Sequence, residues 1–215
     1  MCWNAPVSLT TFLTSSIMCV YLWFRNLHND RIFSIFIFWF ALIQLIEFFM
    51  WRNMSNHSIF SKLALMNISL QPVVLVTALF YFYKNVYSIE EKILLYSILG
   101  ISLIKTVVSA YYAFVTHKNN EWLSVKGPHC HLVWWFNKNS KKMPSITQLD
   151  FFYIVPFLLA VLLVKPFSQG LIYFTLASLS SLLSHIFYPE ERGSLWCWIA
   201  NLTGIVTIMM PYLKL

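Results

Sequence analysis

Charge is what this sequence has least of. Only 11% of its 215 residues are Asp, Glu, Lys or Arg, against about 25% in an ordinary soluble domain. Too little polar material is present to clothe a water-facing surface. Hydrophobic residues make up 59% of the chain, in runs too long for a globular core. The composition excludes a soluble domain and specifies a polytopic membrane protein. Lys and Arg exceed Asp and Glu to give a net charge of +7, but they collect in the connections. No Arg-rich helix or basic–aromatic pattern points to nucleic acid, and the expected partners are membrane lipids.

Other absences narrow the chemistry. Four cysteines are too few for a disulfide scaffold. No G-x-S-x-G, H-E-x-x-H or phosphate-binding glycine loop is present. The last apolar run, SLWCWIANLTGIVTIMMPY, has no lysine to hold retinal, and the His and Asp positions do not match the histidine-rich motifs of seven-span membrane hydrolases. No cofactor is called for. The N-terminal stretch lacks a basic start and ends in YLWFRN instead of a small-residue cleavage site, so it reads as a retained first span.

What is present is a series of apolar segments near the ~20 residues needed to cross a bilayer. Seven are expected: Val7–Phe24, Ile32–Trp51, Ile59–Phe82, Ile93–Val115, Phe151–Val164, Leu171–Tyr188 and Ser194–Tyr212. They form one all-α transmembrane domain over residues 1–215, with no soluble domain. The fifth is short and starts beside Asp150, which predicts tilt or partial re-entry. Pro72 and Pro156 fall inside spans, where neighbouring helices re-satisfy the freed carbonyls. The one long connection, residues 116–149, carries five lysines, Gly127-Pro128 and the patch LVWWF; it is expected to lie along the membrane surface. Arg25, Arg31, Lys84, Lys92, Lys165 and Lys214 share one side, so the N-terminus is expected outside and the C-terminus inside, although the lysines of the long connection fall on the other side.

Seven spans put the N-terminus and the even-numbered connections on one face. That face collects seven of nine tryptophans and three of four cysteines (Cys2, Cys130 and Cys197), an asymmetry unlike the paired belts of an ordinary membrane protein. Glu47 interrupts the run Ile32–Trp51 five residues before Arg52, roughly 7.5 Å below that face. His185 precedes Glu190 by the same interval and matches its depth. Lys105 lies near the centre of its span, with a stem long enough to extend toward Glu47. Gln44, Asn67, Gln71 and Asn201 add polar groups at intermediate depth. One interior pocket is therefore expected, built from Glu47, Lys105, His185, Asn201 and Gln44, with Glu47 paired to His185 or Lys105.

The run His129-Cys130-His131 offers zinc-ligand types, but adjacent ligands point apart and no C-x₂-C or H-x₃-H spacing accompanies it. A disulfide between two of Cys2, Cys130 and Cys197 is the stronger expectation, provided their face is extracytoplasmic. Three functional classes fit these residues. The first is handling of a small polar ligand or ion through the pocket. The second is a membrane-embedded lipid-modifying enzyme with Glu47 and His185 as acid and base. The third is a non-catalytic assembly factor that works through its aromatic face.

The opening Met1-Cys2-Trp3, the stretch Gln44-Leu-Ile-Glu47-Phe-Phe-Met-Trp51 and Gly193-Ser-Leu-Trp196-Cys-Trp198 together resemble a family of small multi-spanning membrane proteins. These are encoded by giant DNA viruses and some microbial eukaryotes, and their function is unassigned. The resemblance implies a host or viral membrane and carries no activity with it. All three motifs map to the tryptophan-rich face.

Overall fold

The computed structural model describes residues 4–116, 122–139, 143–147 and 151–212. Six helical stretches are long and apolar enough to cross a membrane: Ala5–Arg25, Asp30–Arg52, Ser58–Tyr83, Ile89–Thr116, Phe167–Phe187 and Arg192–Tyr212. The first four, α1 to α4, pack as antiparallel neighbours in chain order. Local chemistry sets their ends. Asn4 accepts from the Val7 amide at 3.1 Å to start α1 (Ala5–Arg25), and Asn26 leaves it in the left-handed region. Ser88 and Glu91 form a reciprocal capping box at the start of α4 (Ile89–Tyr111), the S-x-x-E pattern that satisfies orphan amides. The last turn of that stretch widens into a π turn over Tyr112–Thr116.

The expected fifth span differs. It forms a helix of only 12 residues, α6 (Phe151–Leu162), about 18 Å long at 1.5 Å per residue, against ~30 Å of hydrocarbon. Near its start, the Tyr153 hydroxyl donates to Gln71, which is halfway along α3 (Ser58–Tyr83). The other end of α6 reaches Lys165, whose ammonium pairs with Glu91 and whose carbonyl accepts from Asn29 and Tyr83. So α6 covers one half of the bundle's depth, and six long helices plus this short one replace seven equal spans. The physical reason is the length of its apolar run, which ends at Val164 before Lys165-Pro166.

Residues 122–139 occupy the other half, over Glu47 and His57. Strands β1 (Val125–Lys126) and β2 (Leu132–Val133) pair antiparallel around Gly127–His131, followed by the single helical turn α5 (Trp135–Lys138). This cap was expected on the membrane surface. Instead Trp122, Leu132, Val133, Trp134 and Phe136 are all buried, because their apolar surface fits the space above the short helix. Polar pins hold it: the Ser124 amide donates to His57 Nε2 at 2.8 Å, and Ser124 Oγ meets Ser61 Oγ at 3.0 Å. His57 Nδ1 is 3.0 Å from the Asn53 carbonyl. Since Nε2 accepts, Nδ1 carries the proton in a neutral ring.

Beyond α7 (Phe167–Phe187), the final stretch is broken. Helix α8 (Arg192–Ala200) stops at Asn201–Leu202, and α9 (Thr203–Met209) resumes. Asn201 spans the break: its Nδ2 donates to the Cys197 carbonyl at 2.9 Å, and its Oδ1 accepts from Ser15 Oγ of α1 at 3.0 Å. The turn is tightened, not unwound: Asn201 and Leu202 keep right-handed helical dihedrals and their amides bond three residues back, to Trp198 and Ile199.

Candidate functional site

The expected polar pocket divides into four separate places. Glu47 is 3% exposed. Its partner is neither His185 nor Lys105: Trp134 Nε1 of the cap donates to its carboxylate at 3.0 Å. Ser194 and Gln44 also lie beside it, although Gln44 Nε2 closes no hydrogen bond. Gln44 shares this face because three residues make nearly one helical turn. Deeper in, Cys197 stands beside Glu47, Gln71 and Tyr153. The cluster is roofed by Trp134 and tightly packed.

Two glycines allow the roof to close. A Cβ on Gly193 would stand 2.4 Å from the Trp134 ring, and one on Gly127 would stand 2.0 Å from Glu191 Oε1. Both distances are below van der Waals contact: at Gly193 a larger residue would press on the Trp134 ring and push the cap from the turn between α7 and α8, whereas at Gly127 the Glu191 carboxylate would have to shift. The second contact is reinforced by the His129 amide, which donates to Glu191 Oε1 at 2.9 Å. Tyr188 meets the His129 and His131 rings edge-on. His131 is pushed down to about 4, chiefly by burial and secondarily by neighbouring His129. Cys130 is disulfide-bonded, whereas Cys19 and Cys197 are free and buried; Cys2, with Met1 and Trp3, lies outside the described residues. Among the described residues no three His, Cys, Asp or Glu side chains are grouped to hold a metal ion.

Lys105 is fully buried between α3 and α4, where Nζ donates to Ser69 Oγ at 3.3 Å. Asn201 holds the α8–α9 break. His185 is exposed at the end of α7, with Nδ1 3.1 Å from Arg192 Nη1. The separation has a simple cause. Matched depth fixes the height of a side chain in the bundle but leaves its direction around the helix undetermined, and these residues point to different neighbours.

Open space lies elsewhere. An apolar cavity of about 260 Å³ sits between α2 (Asp30–Arg52), α6, α7 and the broken last helix, walled by Phe36, Phe40, Phe157, Tyr173 and Trp196. A neighbouring cleft of about 380 Å³ shares Trp196 and runs between α6 and α7 to His185 and Arg192. Trp196 is fixed between them: its Nε1 donates to Ser180 Oγ at 3.1 Å, and its ring meets Tyr153 and Phe157 edge-on. These aromatic positions were read from sequence as ordinary spans; only the phenylalanines of IFSIFIFWF, recurring at helical spacing, hinted at a shared wall. No family model, curated protein or solved structure matches the chain.

Proposed function

We propose that the protein is a seven-crossing integral membrane protein, N-terminus outside, that holds a small amphipathic molecule within the bilayer. The observation that carries this reading is the aromatic cavity of about 260 Å³ beside a break in the last helix. Its size approaches the ~300 Å³ lower end of small-ligand sites, and its walls, apolar apart from Tyr173, Ser180, Thr203 and the Trp196 N–H, suit a chain better than an ion. The small-ligand reading is kept, and the ligand changes from polar to apolar in most of its length. The acid–base enzyme reading loses its motivation because Glu47 and His185 have different partners. The assembly-factor reading loses surface, since Trp122, Trp134 and Trp196 are turned inward.

The seventh crossing is the half-length α6 completed by the cap. Non-helical backbone at membrane depth is tolerated when protein surrounds it. Two measurements test this reading. Cysteines introduced as Asn56→Cys and Lys84→Cys should label from opposite sides of sealed membranes, the first from outside. Filling the cavity with Ala177→Trp should remove co-purified lipid seen by native mass spectrometry of the wild type. Same-side labelling would end the crossing scheme, and lipid retention unchanged by Ala177→Trp would end the cavity reading.

A further inference from the structure

The cleft between α6 and α7 holds a buried hydroxyl that the protein itself does not use. We infer that this cleft binds a neutral, lipid-soluble ketone or quinone, its carbonyl oxygen accepting from Ser178 Oγ and its ring lying against Trp196. The site is distinct from the aromatic cavity, and it goes beyond the reading above.

The first observation is Ser178. Its Oγ is buried, lines the cleft and has no hydrogen-bond partner among the described residues. Other hydroxyls of α7 bond back to a helical carbonyl: Thr175 to Leu171, Ser180 to Ala177 and Ser184 to Ser180. Ser178 lacks that bond. A buried donor without a partner calls for an acceptor from outside the protein.

Depth decides which acceptor. Ser178 lies near the middle of the 21-residue α7, about 14 Å from its nearer end and therefore near the centre of ~30 Å of hydrocarbon. The phosphates and ester carbonyls of bilayer lipids stay at the interface, away from this level. The polar pair at the mouth, His185 and Arg192, lies about 10 Å further along the helix and is in mutual contact at 3.1 Å. A charged ligand group beside Ser178 would be stranded in hydrocarbon. A carbonyl is neutral, supplies the missing acceptor and brings no proton of its own to place.

The walls choose the shape. Ile154, Leu158 and Leu182 are aliphatic, and Trp196 supplies a flat face. The Trp196 N–H is spent on Ser180 Oγ at 3.1 Å, so the ring offers the cleft only its π surface, which favours an offset ring. The cleft measures about 380 Å³. An apolar cavity of about 150 Å³ takes benzene, so fused or paired rings fit here, within the size range of small-ligand sites.

Benzophenone is the probe, because its ketone is both the acceptor and the photoreactive group. Full-length protein in phosphatidylcholine nanodiscs is irradiated with it, and the adducts are mapped by mass spectrometry. They should fall beside the cleft, on Leu158 or on Leu182, one turn from Ser178. Tetralone should compete for labelling, whereas tetralin, the same skeleton without the oxygen, should need roughly fivefold more. Ser178→Ala should cut labelling by a similar factor and erase the difference between the two competitors. Its thermal unfolding without ligand should match that of the wild type, since the lost hydroxyl bonds nothing in the protein. Leu158→Trp, which fills the cleft, should abolish labelling. Equal competition by tetralone and tetralin on the wild type overturns the inference and needs no variant to show it. Undiminished labelling of Ser178→Ala also overturns it, as do adducts confined to the aromatic cavity or to the outer surface. The cavity reading is untouched by these outcomes, because its own readout is co-purified lipid.

Discussion

The two ends of the bundle are closed by different means. At the Asp30 end, polar side chains clamp helix termini directly. Arg25 bonds both oxygens of Asp30 at 2.7 Å and reaches the Thr207 and Ile208 carbonyls. Asn29 ties Lys165 to Gln169, and Tyr87 donates to the Leu163 carbonyl at 2.7 Å. At the other end an inserted cap supplies buried area, and it meets the helices through Trp134 over Glu47, through Ser124 on His57 and Ser61, through the His129 amide on Glu191, and across two glycines. Clamps between helix ends resist separation of the helices. A cap that is a single short segment resting on the helix ends can lift while the helices stay together. The difference teaches where motion is cheap: the tryptophan-rich end is the one able to open.

The largest expected effect falls on the clamped end. Asp30→Ala strands a guanidinium whose side chain is only 9% exposed, and breaking such a buried pair costs about 3–5 kcal/mol. Thermal unfolding in detergent should show a large drop, with the helices losing structure together. A shift of only a degree or two would mean that Arg25 is held by the carbonyls alone.

A smaller effect is expected at the cap. Gly193→Ala places a methyl group inside the Trp134 ring contact, and overpacking of this kind costs about 1–3 kcal/mol. Limited proteolysis should cut the segment 122–139 sooner than in the wild type, while unfolding of the helices shifts little. Equal loss at both ends would erase the contrast between clamp and cap.

The smallest effect is a pH dependence confined to the cap. His131 is held at about 4, below its ordinary value of 6.5, by burial first and by His129 second. The open state, with an ordinary histidine, binds a proton that the closed state refuses. Stability of the closed cap is therefore full above about 6.5 and falls as pH drops toward 4. Hydrogen exchange at residues 132–138 should accelerate over that window, and His131→Phe should flatten the response. Exchange that is flat with pH in the wild type would remove His131 from the latch.

The helices were legible because apolar run length dictates them, although the span expected from Ile93 begins at Ile89, behind the Ser88–Glu91 capping box. The short α6 was half legible in a run that starts beside Asp150. The cap was not. Trp134 meets Glu47 across 87 positions of sequence, and nothing local distinguishes a tryptophan aimed into a bundle from one resting on lipid. Gly193 and Gly127 were the available signals, since a glycine beside bulky neighbours marks close approach. Depth arithmetic placed Glu47 and His185 at one height, yet rotation about two helix axes separated them.

The shortness of α6 reaches beyond the protein. Where this helix stands, the bundle offers lipid about 18 Å of apolar helix, and surrounding acyl chains must compress, tilt or be replaced by polypeptide to meet it. Each ångström of such hydrophobic mismatch costs a fraction of a kcal/mol. Here the cap supplies that polypeptide, with Trp122, Trp134 and Phe136 buried in the depth that α6 leaves open, so lifting the cap would uncover the mismatch along one flank only.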